Sequence, residues 1–324
     1  MLATLTIWTN ARLPADAAAE LAEGVRPHDL IVSAFPTGNL AAGKADPQLE
    51  QADIAFGQPD VRQVIELSRL KWIHLSSAGF SRYDLPEVRH ALHKRGGILS
   101  NSSSVFAEPC AEHALAFMLS AARRLDDAVA NKFAARAWPT AEIRHRSRLL
   151  AGETAIILGM GAIGSRLVEL LMPLHMNLIG IRRRVRGDES IPTFAIEELD
   201  RLLPQADHVV NILPASLETD RLFNAHLFER MKKGAVFYNI GRGTTVNDAD
   251  LVNALLSQKL RAAYLDVTDP EPLPPEHPLW LAPNCHITPH TAGGHEREFV
   301  DSVRHFLQNL KRFESGEALR DRVM

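Results

Sequence analysis

Arg242, Glu271 and His290 are the residues of this chain whose types and settings suit chemistry. Arg242 stands between Gly241 and Gly243, just past an apolar run. A guanidinium fork there can reach a planar anion and grip a carboxylate through two hydrogen bonds. Glu271 lies in the proline-rich string Asp269-Pro270-Glu271-Pro272-Leu273, and His290 follows Pro289, whose ring restricts the local backbone. Taken singly, the arginine reads as a surface residue, the glutamate as solvated and the histidine as surface or core. Together they make a different case. A carboxylate beside an imidazole orients the ring and favours its charged form. Such an imidazole can give a proton to a ketone oxygen or take one from an alcohol. Combined with a hydride donor and an arginine on a carboxylate, the set suits reduction of a 2-keto acid.

A hydride donor is implied by a second string, Gly159-Met160-Gly161-Ala162-Ile163-Gly164, which follows the apolar run 154–158 and precedes a helical pattern over 162–171. A lone G-x-G-x-x-G is weak, but between a strand and a helix it has a physical reading. Gly159 allows the tight turn, Gly161 lets backbone approach a pyrophosphate, and Gly164 lets helix and strand pack closely. The start of the helix then offers N–H groups and partial positive charge to phosphates. The alternative is a plain glycine-rich turn. The acidic residue expected about 20 residues on, to hold a ribose 2′-hydroxyl, is replaced by Arg182, with Arg183 and Arg184 following. Guanidinium groups pair with a 2′-phosphate where a carboxylate would repel it. The expectation is therefore NADP(H) in preference to NAD(H), with NAD(H) use possible; the alternative is an exposed basic loop.

These side chains need a scaffold that gathers them. Six short apolar runs (154–158, 178–181, 208–213, 235–238, 262–265 and 285–288) each end in a conspicuous polar or glycine-rich element. As parallel strands they would bring those elements to one crevice, because ligands of open α/β sheets bind outside the carboxyl ends of the strands. The first hundred residues read as a separate α/β lobe, with strand-length runs at 5–8, 30–32, 54–56, 72–75 and 98–99 and helical patterns at 16–23 and 61–70. Turn signals fall at 35–39, 57–59 and 95–97. Ala111, Ala114, Leu115, Met118, Leu119 and Ala122 recur at helical spacing, with Pro109 suited to the first turn. This bridging helix leads into an arginine-rich arm, 131–150, without a clear period, and 299–313 is an amphipathic helix. The expected architecture is two doubly wound parallel-sheet domains with a cleft between them. Residues 1–106 and 289–324 form a flavodoxin-like substrate domain, and 107–288 form a Rossmann-type cofactor domain.

The chain has 324 residues, 46% apolar and 23% charged, with net charge −3. This balance argues against a nucleic-acid partner, which would call for a basic excess. Cys110 and Cys285 fit no metal spacing and no disulfide framework, so a reducing cytoplasm is expected. No run of 18 apolar residues predicts a membrane span, and residues 1–10 lack the pattern of a signal peptide.

The assembled strings resemble the D-isomer-specific 2-hydroxyacid dehydrogenases over nearly the whole chain. They are Ser76-Ser77-Ala78-Gly79, Ala111-Glu112-His113-Ala114-Leu115, the glycine loop, Leu213-Pro214 with Thr219, Asn239-Ile240-Gly241-Arg242-Gly243, Asp266-Val267 through Glu271-Pro272-Leu273-Pro274, and Thr288-Pro289-His290-Thr291-Ala292-Gly293. The resemblance implies that Arg242 binds and polarises substrate, that His290 is the acid/base and that Glu271 is its partner. It implies a cofactor site comprising Gly159, Gly161, Ala162, Ile163, Gly164, Arg182, Arg183, Leu213, Pro214, Thr219, Ile240, Gly241, Arg242, Asp266, His290, Ala292 and Gly293, with Asp266 on the nicotinamide carboxamide. Backbone at Ala78 and Gly79 would meet the substrate carboxylate. A homodimer through residues 112–150 is also implied, with Trp138 either an interface anchor or packed locally on the arm. Two departures stand out. Arg182 replaces the usual acid, as in members similar to glyoxylate/hydroxypyruvate reductases, and His175 stands where glycine is frequent.

Three other readings share the scaffold. A formate-type enzyme is disfavoured, because such enzymes carry glutamine where Glu271 stands. A phosphite-type dehydrogenase can keep the same three residues. A non-catalytic nicotinamide-nucleotide sensor can too, although no evident partner-docking segment appears.

Overall fold

A computed structural model describes residues 4–324; Met1–Ala3, part of the stretch read for a signal peptide, lie outside the described residues. The chain divides into two compact units, Met1–Phe106 with Gly294–Met324, and Ala107–Gly293. The second boundary falls five residues past the expected 288/289. The reason is local: residues 290–292 remain hydrogen-bonded to Asp266 of the second unit.

The first unit is a five-stranded sheet in the order β2-β1-β3-β4-β5. Its strands are β1 (Thr6–Ala11), β2 (Asp29–Thr37), β3 (Ile54–Gly57), β4 (Trp72–Leu75) and β5 (Ile98–Ser100), and every pairing among them is parallel. This is the flavodoxin-like order. Strands buried on both faces need helices on both, and two cores meet that need. On one face Ile7, Ile54, Phe56 and Trp72 pack with Phe306 and Leu310 of the long terminal helix. On the other, Trp8, Ala55 and Ile73 pack with Val64, Val88 and Leu92. The helices here are α1 (Ala15–Gly24), α2 (Val61–Glu66) and α3 (Pro86–Arg95). Helix α2 stops short of the expected Leu70, whose side chain is fully buried in the second core. Strand β2 runs through Pro36, where a turn was expected. Because β2 is an edge strand, a residue without an N–H costs it no ladder bond.

Helix α4 (Ser103–Arg123) starts earlier than expected, so Pro109 lies inside it rather than in its first turn. The start is set by caps invisible to periodicity: Asn101 Oδ1 accepts from Ser103 N–H, and the Asp321 carboxylate accepts from Ser104 N–H and hydroxyl. The division between units falls within this helix. The arm beyond it is not irregular. It forms α5 (Leu125–Phe133) and α6 (Thr140–Arg146), with Trp138 between them 92% exposed and so not packed on the arm.

The second unit is a seven-stranded parallel sheet built from β6 (Thr154–Leu158), β7 (Asn177–Ile181), β8 (Thr193–Phe194), β9 (His208–Asn211), β10 (Ala235–Asn239), β11 (Leu260–Leu265) and β12 (Cys285–Ile287). The order is β12-β11-β10-β9-β6-β7-β8, so the chain reverses direction across the sheet beside β6, the strand that leads into the glycine loop. Crossovers use α7 (Ala162–Leu171), α8 (Leu199–Leu202), α9 (Ala225–Arg230) and α10 (Asp248–Leu256), and α11 (Glu298–Ser315) returns to the first unit. The two-residue strand β8 was not expected; it is too short to show a period. His175 takes a left-handed conformation at φ 56° after the 3-10 turn Met172–Leu174, a geometry glycine adopts without cost. Its place where glycine is frequent is thus a conformational matter. No helix among the described residues is long and apolar enough to cross a membrane.

Candidate active site

The glycine loop has the form its residues require. Gly159 sits at φ +103°, open to glycine and rarely to other residues, and a Cβ there would lie 3.0 Å from the Ile212 carbonyl oxygen. Gly164, within α7, is held so close to β6 that a Cβ would meet the Gly159 carbonyl oxygen at 2.2 Å. Gly161 precedes α7 without a side-chain cap, and a Cβ there would meet nothing within 4 Å. The space above this turn and the helix start behind it fit a bound pyrophosphate. Ala162 and Ile163 form the first helical turn.

At the end of β7, Arg182 already holds a carboxylate: its Nη1 donates to Glu189 Oε1 at 3.0 Å. Glu189 also accepts from the N–H groups of Arg186 and Gly187, and these bonds hold its carboxyl at about 2, well below the usual range. Arg183 is exposed and lies 3.6 Å from Glu218. Glu218 belongs to the loop after Leu213-Pro214, which is fastened by Thr219 Oγ1 donating to the Pro214 carbonyl at 2.7 Å.

Arg242 is positioned by a buried polar network at the ends of β9 and β10. Asn211 Nδ2 donates to Asn239 Oδ1 and to Thr245 Oγ1, and Asn211 Oδ1 accepts from Leu213 N–H. Asn239 Oδ1 accepts from Gly241 N–H, while Asn239 Nδ2 and the Thr245 hydroxyl both donate to the Arg242 carbonyl. Gly241 fits only as glycine, since a Cβ would lie 2.6 Å from the Leu213 carbonyl oxygen. Ile240 and Gly241 thereby pass directly against the Leu213 loop. Half-buried Arg242 sends Nη1 back to the Gly241 carbonyl at 2.6 Å.

Glu271 and His290 meet. Nδ1 of His290 lies 2.7 Å from Glu271 Oε2, while Glu271 Oε1 accepts from Thr268 N–H at 3.1 Å. Partial burial pushes the Glu271 carboxyl upward, but the His290 hydrogen bond and charge, the Thr268 N–H and the positive charge of Arg242 outweigh it. The net shift is down, so Glu271 stays ionised through the neutral range and is an acceptor only. His290 is held in the left-handed region at φ 52°, with its N–H donating to the Asp266 carbonyl at 2.8 Å. A non-glycine residue there is a conformation that surrounding bonds must enforce.

Asp266, at the end of β11, is 2% exposed. Its Oδ1 accepts from the Thr288 hydroxyl at 2.6 Å and Thr291 N–H at 2.8 Å, and its Oδ2 from Ala292 N–H at 3.0 Å. Asp266 therefore organises the segment carrying His290, Ala292 and Gly293. Arg242, Glu271, His290 and Asp266 all belong to the second unit, on loops at the carboxyl ends of its strands. Ala78 and Gly79 belong to the first, past the end of β4, where Asn101 Nδ2 donates to the Ala78 carbonyl and Ser77 Oγ to the Gly79 carbonyl. Sequence reasoning missed Asn211, Thr245, Thr268, Glu189 and the role of Thr288. Two asparagines ending adjacent apolar strands were the available signal for the network; nothing local announced the others.

Residues 115–292 match the sequence profile described as "D-isomer specific 2-hydroxyacid dehydrogenase, NAD binding domain". A human glyoxylate reductase/hydroxypyruvate reductase is 33% identical over 237 residues, covering 71% of this chain and 70% of the relative. A glyoxylate/hydroxypyruvate reductase A from Citrobacter koseri is 36% identical over 214 residues, covering 65% and 67%. The crystal structure of an NADPH-dependent glyoxylate/hydroxypyruvate reductase from Sinorhizobium meliloti, with NADP and sulfate, superposes with a TM-score of 0.80 at 25% identity, covering 99% of this chain and 98% of that one.

Proposed function

Because this chain belongs to the D-isomer-specific 2-hydroxyacid dehydrogenase family, and so is a nicotinamide-dependent oxidoreductase, we propose that it reduces glyoxylate- or hydroxypyruvate-like 2-keto acids to 2-hydroxy acids, with NADPH preferred over NADH. The observation that carries this reading is the 2.7 Å contact between His290 and an ionised Glu271, under the influence of the Arg242 charge.

When bound, the reduced nicotinamide supplies the hydride to the ketone carbon. Arg242 binds the substrate carboxylate and draws electron density toward the carbonyl oxygen. With Nδ1–H donated to Glu271, His290 keeps Nε2 for the proton that passes to that oxygen as it becomes a hydroxyl. Glu271 fixes the ring and its tautomer by accepting from Nδ1. In the reverse direction the same nitrogen takes the proton back. In the same reading 1–106 with the C-terminal segment is the substrate domain, with Ala78 and Gly79 its candidate backbone N–H donors, and the seven-stranded unit is the cofactor domain.

The glycine loop and the start of α7 receive the pyrophosphate, with Leu213, Pro214, Thr219, Ile240, Gly241, Ala292 and Gly293 around the remainder and Asp266 on the carboxamide. Arg182 and Arg183 receive the 2′-phosphate. The Arg182–Glu189 pair supports a guanidinium already ordered there, and the NADP in the Sinorhizobium meliloti reductase supports the same preference. Residues 112–150 form a homodimer contact in this reading, supported by exposed Leu125, Val129, Phe133, Trp138 and Leu149 on one continuous stretch. The protein works in the cytoplasm, without a nucleic-acid partner or a metal.

The test is kcat/KM with NADPH and with NADH against glyoxylate, hydroxypyruvate, pyruvate and phenylpyruvate, alongside phosphite with NADP+. Turnover of the small keto acids with NADPH favoured is expected. Cofactor binding without turnover of any keto acid would replace the enzyme reading with the sensor, and a clear NADH preference would remove the assignment of Arg182.

A further inference from the structure

His113 lies on α4 with no catalytic or cofactor role assigned above, yet it reaches toward Asp266. Its Nε2 is 3.1 Å from Thr288 Oγ1, and Thr288 Oγ1 is 2.6 Å from Asp266 Oδ1. The direction of this chain follows from valence. A carboxylate only accepts, so the single hydroxyl proton of Thr288 points at Asp266. The hydroxyl oxygen must then accept from His113, which fixes the histidine proton on Nε2. The ring is held for this: it sits edge-on to Phe117, centroids 4.4 Å apart at 75°, and Phe117 packs in turn on Tyr264 at 5.2 Å. Burial pushes the imidazole toward its neutral form, against the pull of Asp266 3.7 Å away.

The count of acceptors gives this arrangement a purpose. Asp266 has about four lone-pair positions. Thr288 and Thr291 occupy those of Oδ1, and Ala292 occupies one on Oδ2. One position on Oδ2 is left for a further donor. We propose that His113 is a positioning residue for the nicotinamide carboxamide, acting through Thr288 to hold Asp266 with that one lone pair directed outward. The inference rests on the reading that Asp266 receives the carboxamide. It makes α4 part of cofactor recognition as well as of the proposed subunit contact.

The experiment compares equilibrium binding of NADPH with that of 2′-phospho-ADP-ribose, which has the same phosphates but no carboxamide, by calorimetry. His113→Phe keeps the aromatic packing and removes the donor; Thr288→Val removes the hydroxyl. Each is expected to lower the NADPH-to-2′-phospho-ADP-ribose affinity ratio about fivefold, the scale of one lost hydrogen bond. The double variant should fall no further than Thr288→Val, because the two act in series. His113→Gln, which restores an N–H donor, should recover most of the ratio. Equal weakening of both ligands in the single variants, or additive losses in the double variant, would overturn the proposal. Asp266→Asn separates the two failures. If it lowers the ratio and His113→Phe does not, the relay alone is wrong; if it leaves the ratio unchanged, the carboxamide assignment and the relay fall together.

Discussion

Gly243→Ala is the sharpest perturbation of the proposed chemistry, because it adds one methyl group between the loop of Arg242 and the loop of Glu271. A Cβ at position 243 would lie 2.0 Å from both the carbonyl carbon and oxygen of Thr268 and 2.6 Å from the Asp269 nitrogen. These are backbone atoms, so no rotamer change relieves the overlap. Reaching ordinary contact requires a separation of about 1.5 Å. If Thr268 retreats, its N–H leaves Glu271 Oε1, and the carboxylate that orients His290 loses one of its two anchors. If the 3-10 turn Gly243–Thr245 retreats instead, Arg242 moves away from that pair. Displacement by an ångström of a catalytic group costs about 10²-fold in rate, and overpacking a filled site costs about 1–3 kcal/mol. The assay is kcat at saturating NADPH and hydroxypyruvate, with the thermal midpoint measured on the same sample. A loss of about 10²-fold in kcat with a modestly lowered midpoint is expected. Gly38→Ala, where a Cβ would meet nothing within 4 Å, serves as control and should change neither. Wild-type kcat in a folded Gly243→Ala enzyme would refute the claim that the two loops are held in backbone contact for catalysis.

Three further outcomes follow from the same geometry. His290→Ala should lower kcat by about 10²–10⁴-fold with little change in NADPH Kd, measured by cofactor fluorescence; a Kd that collapses together with kcat would argue for a binding role instead. Arg182→Ala should weaken NADPH and leave NADH within about threefold, because only NADPH carries the 2′-phosphate of the proposed contact, whereas the Glu189 pair is lost whichever cofactor binds; equal losses in the two kcat/KM values would contradict it. Asp248 is half-buried with one carboxylate oxygen lacking a hydrogen-bond partner, and desolvation pushes its carboxyl up to about 6. A raised carboxyl binds its proton more tightly in the folded state, so its ionisation removes stability as pH rises from about 4 to about 6. Asp248→Asn should therefore match wild type near pH 4 and exceed it by about 1–2 kcal/mol at pH 7.5 in denaturant titrations, allowing for partial solvent screening; parallel stability curves would refute this.

How much was legible in the sequence depended on how local the cause was. Runs 54–56, 72–75, 154–158 and 178–181 read as strands because strands covered on both faces are nearly continuously apolar; all four are strands, interrupted only by His74, Thr154 and Gly180. The glycine loop was legible because each glycine answers a separate steric demand. The start of α4 was not, since its caps come from Asn101 and from Asp321, some 217 residues distant. The turn read at Pro36 failed because edge position is a property of the sheet order. In the site, Arg242, Glu271 and His290 were visible by type and setting. The supports of those residues were not: Thr268, Thr245 and Thr288 each act through one hydroxyl or one N–H reaching across loops, and a threonine gives no sign of such duty in its neighbours.

The first sheet is completed by a distant part of the chain. Phe306 stacks on Phe56 and Trp72 with centroids 4.6 and 5.1 Å apart, and residues 321–324 pair with β5. During synthesis, strands β1 to β5 leave the ribosome with one apolar face covered only in part, by Ala17 and Leu21 of α1, and it stays so while nearly two hundred residues of the other unit are made. That unit, continuous from Ala107 to Gly293, can fold first. The core on that face is then finished only when α11 arrives with Phe306 and Leu310.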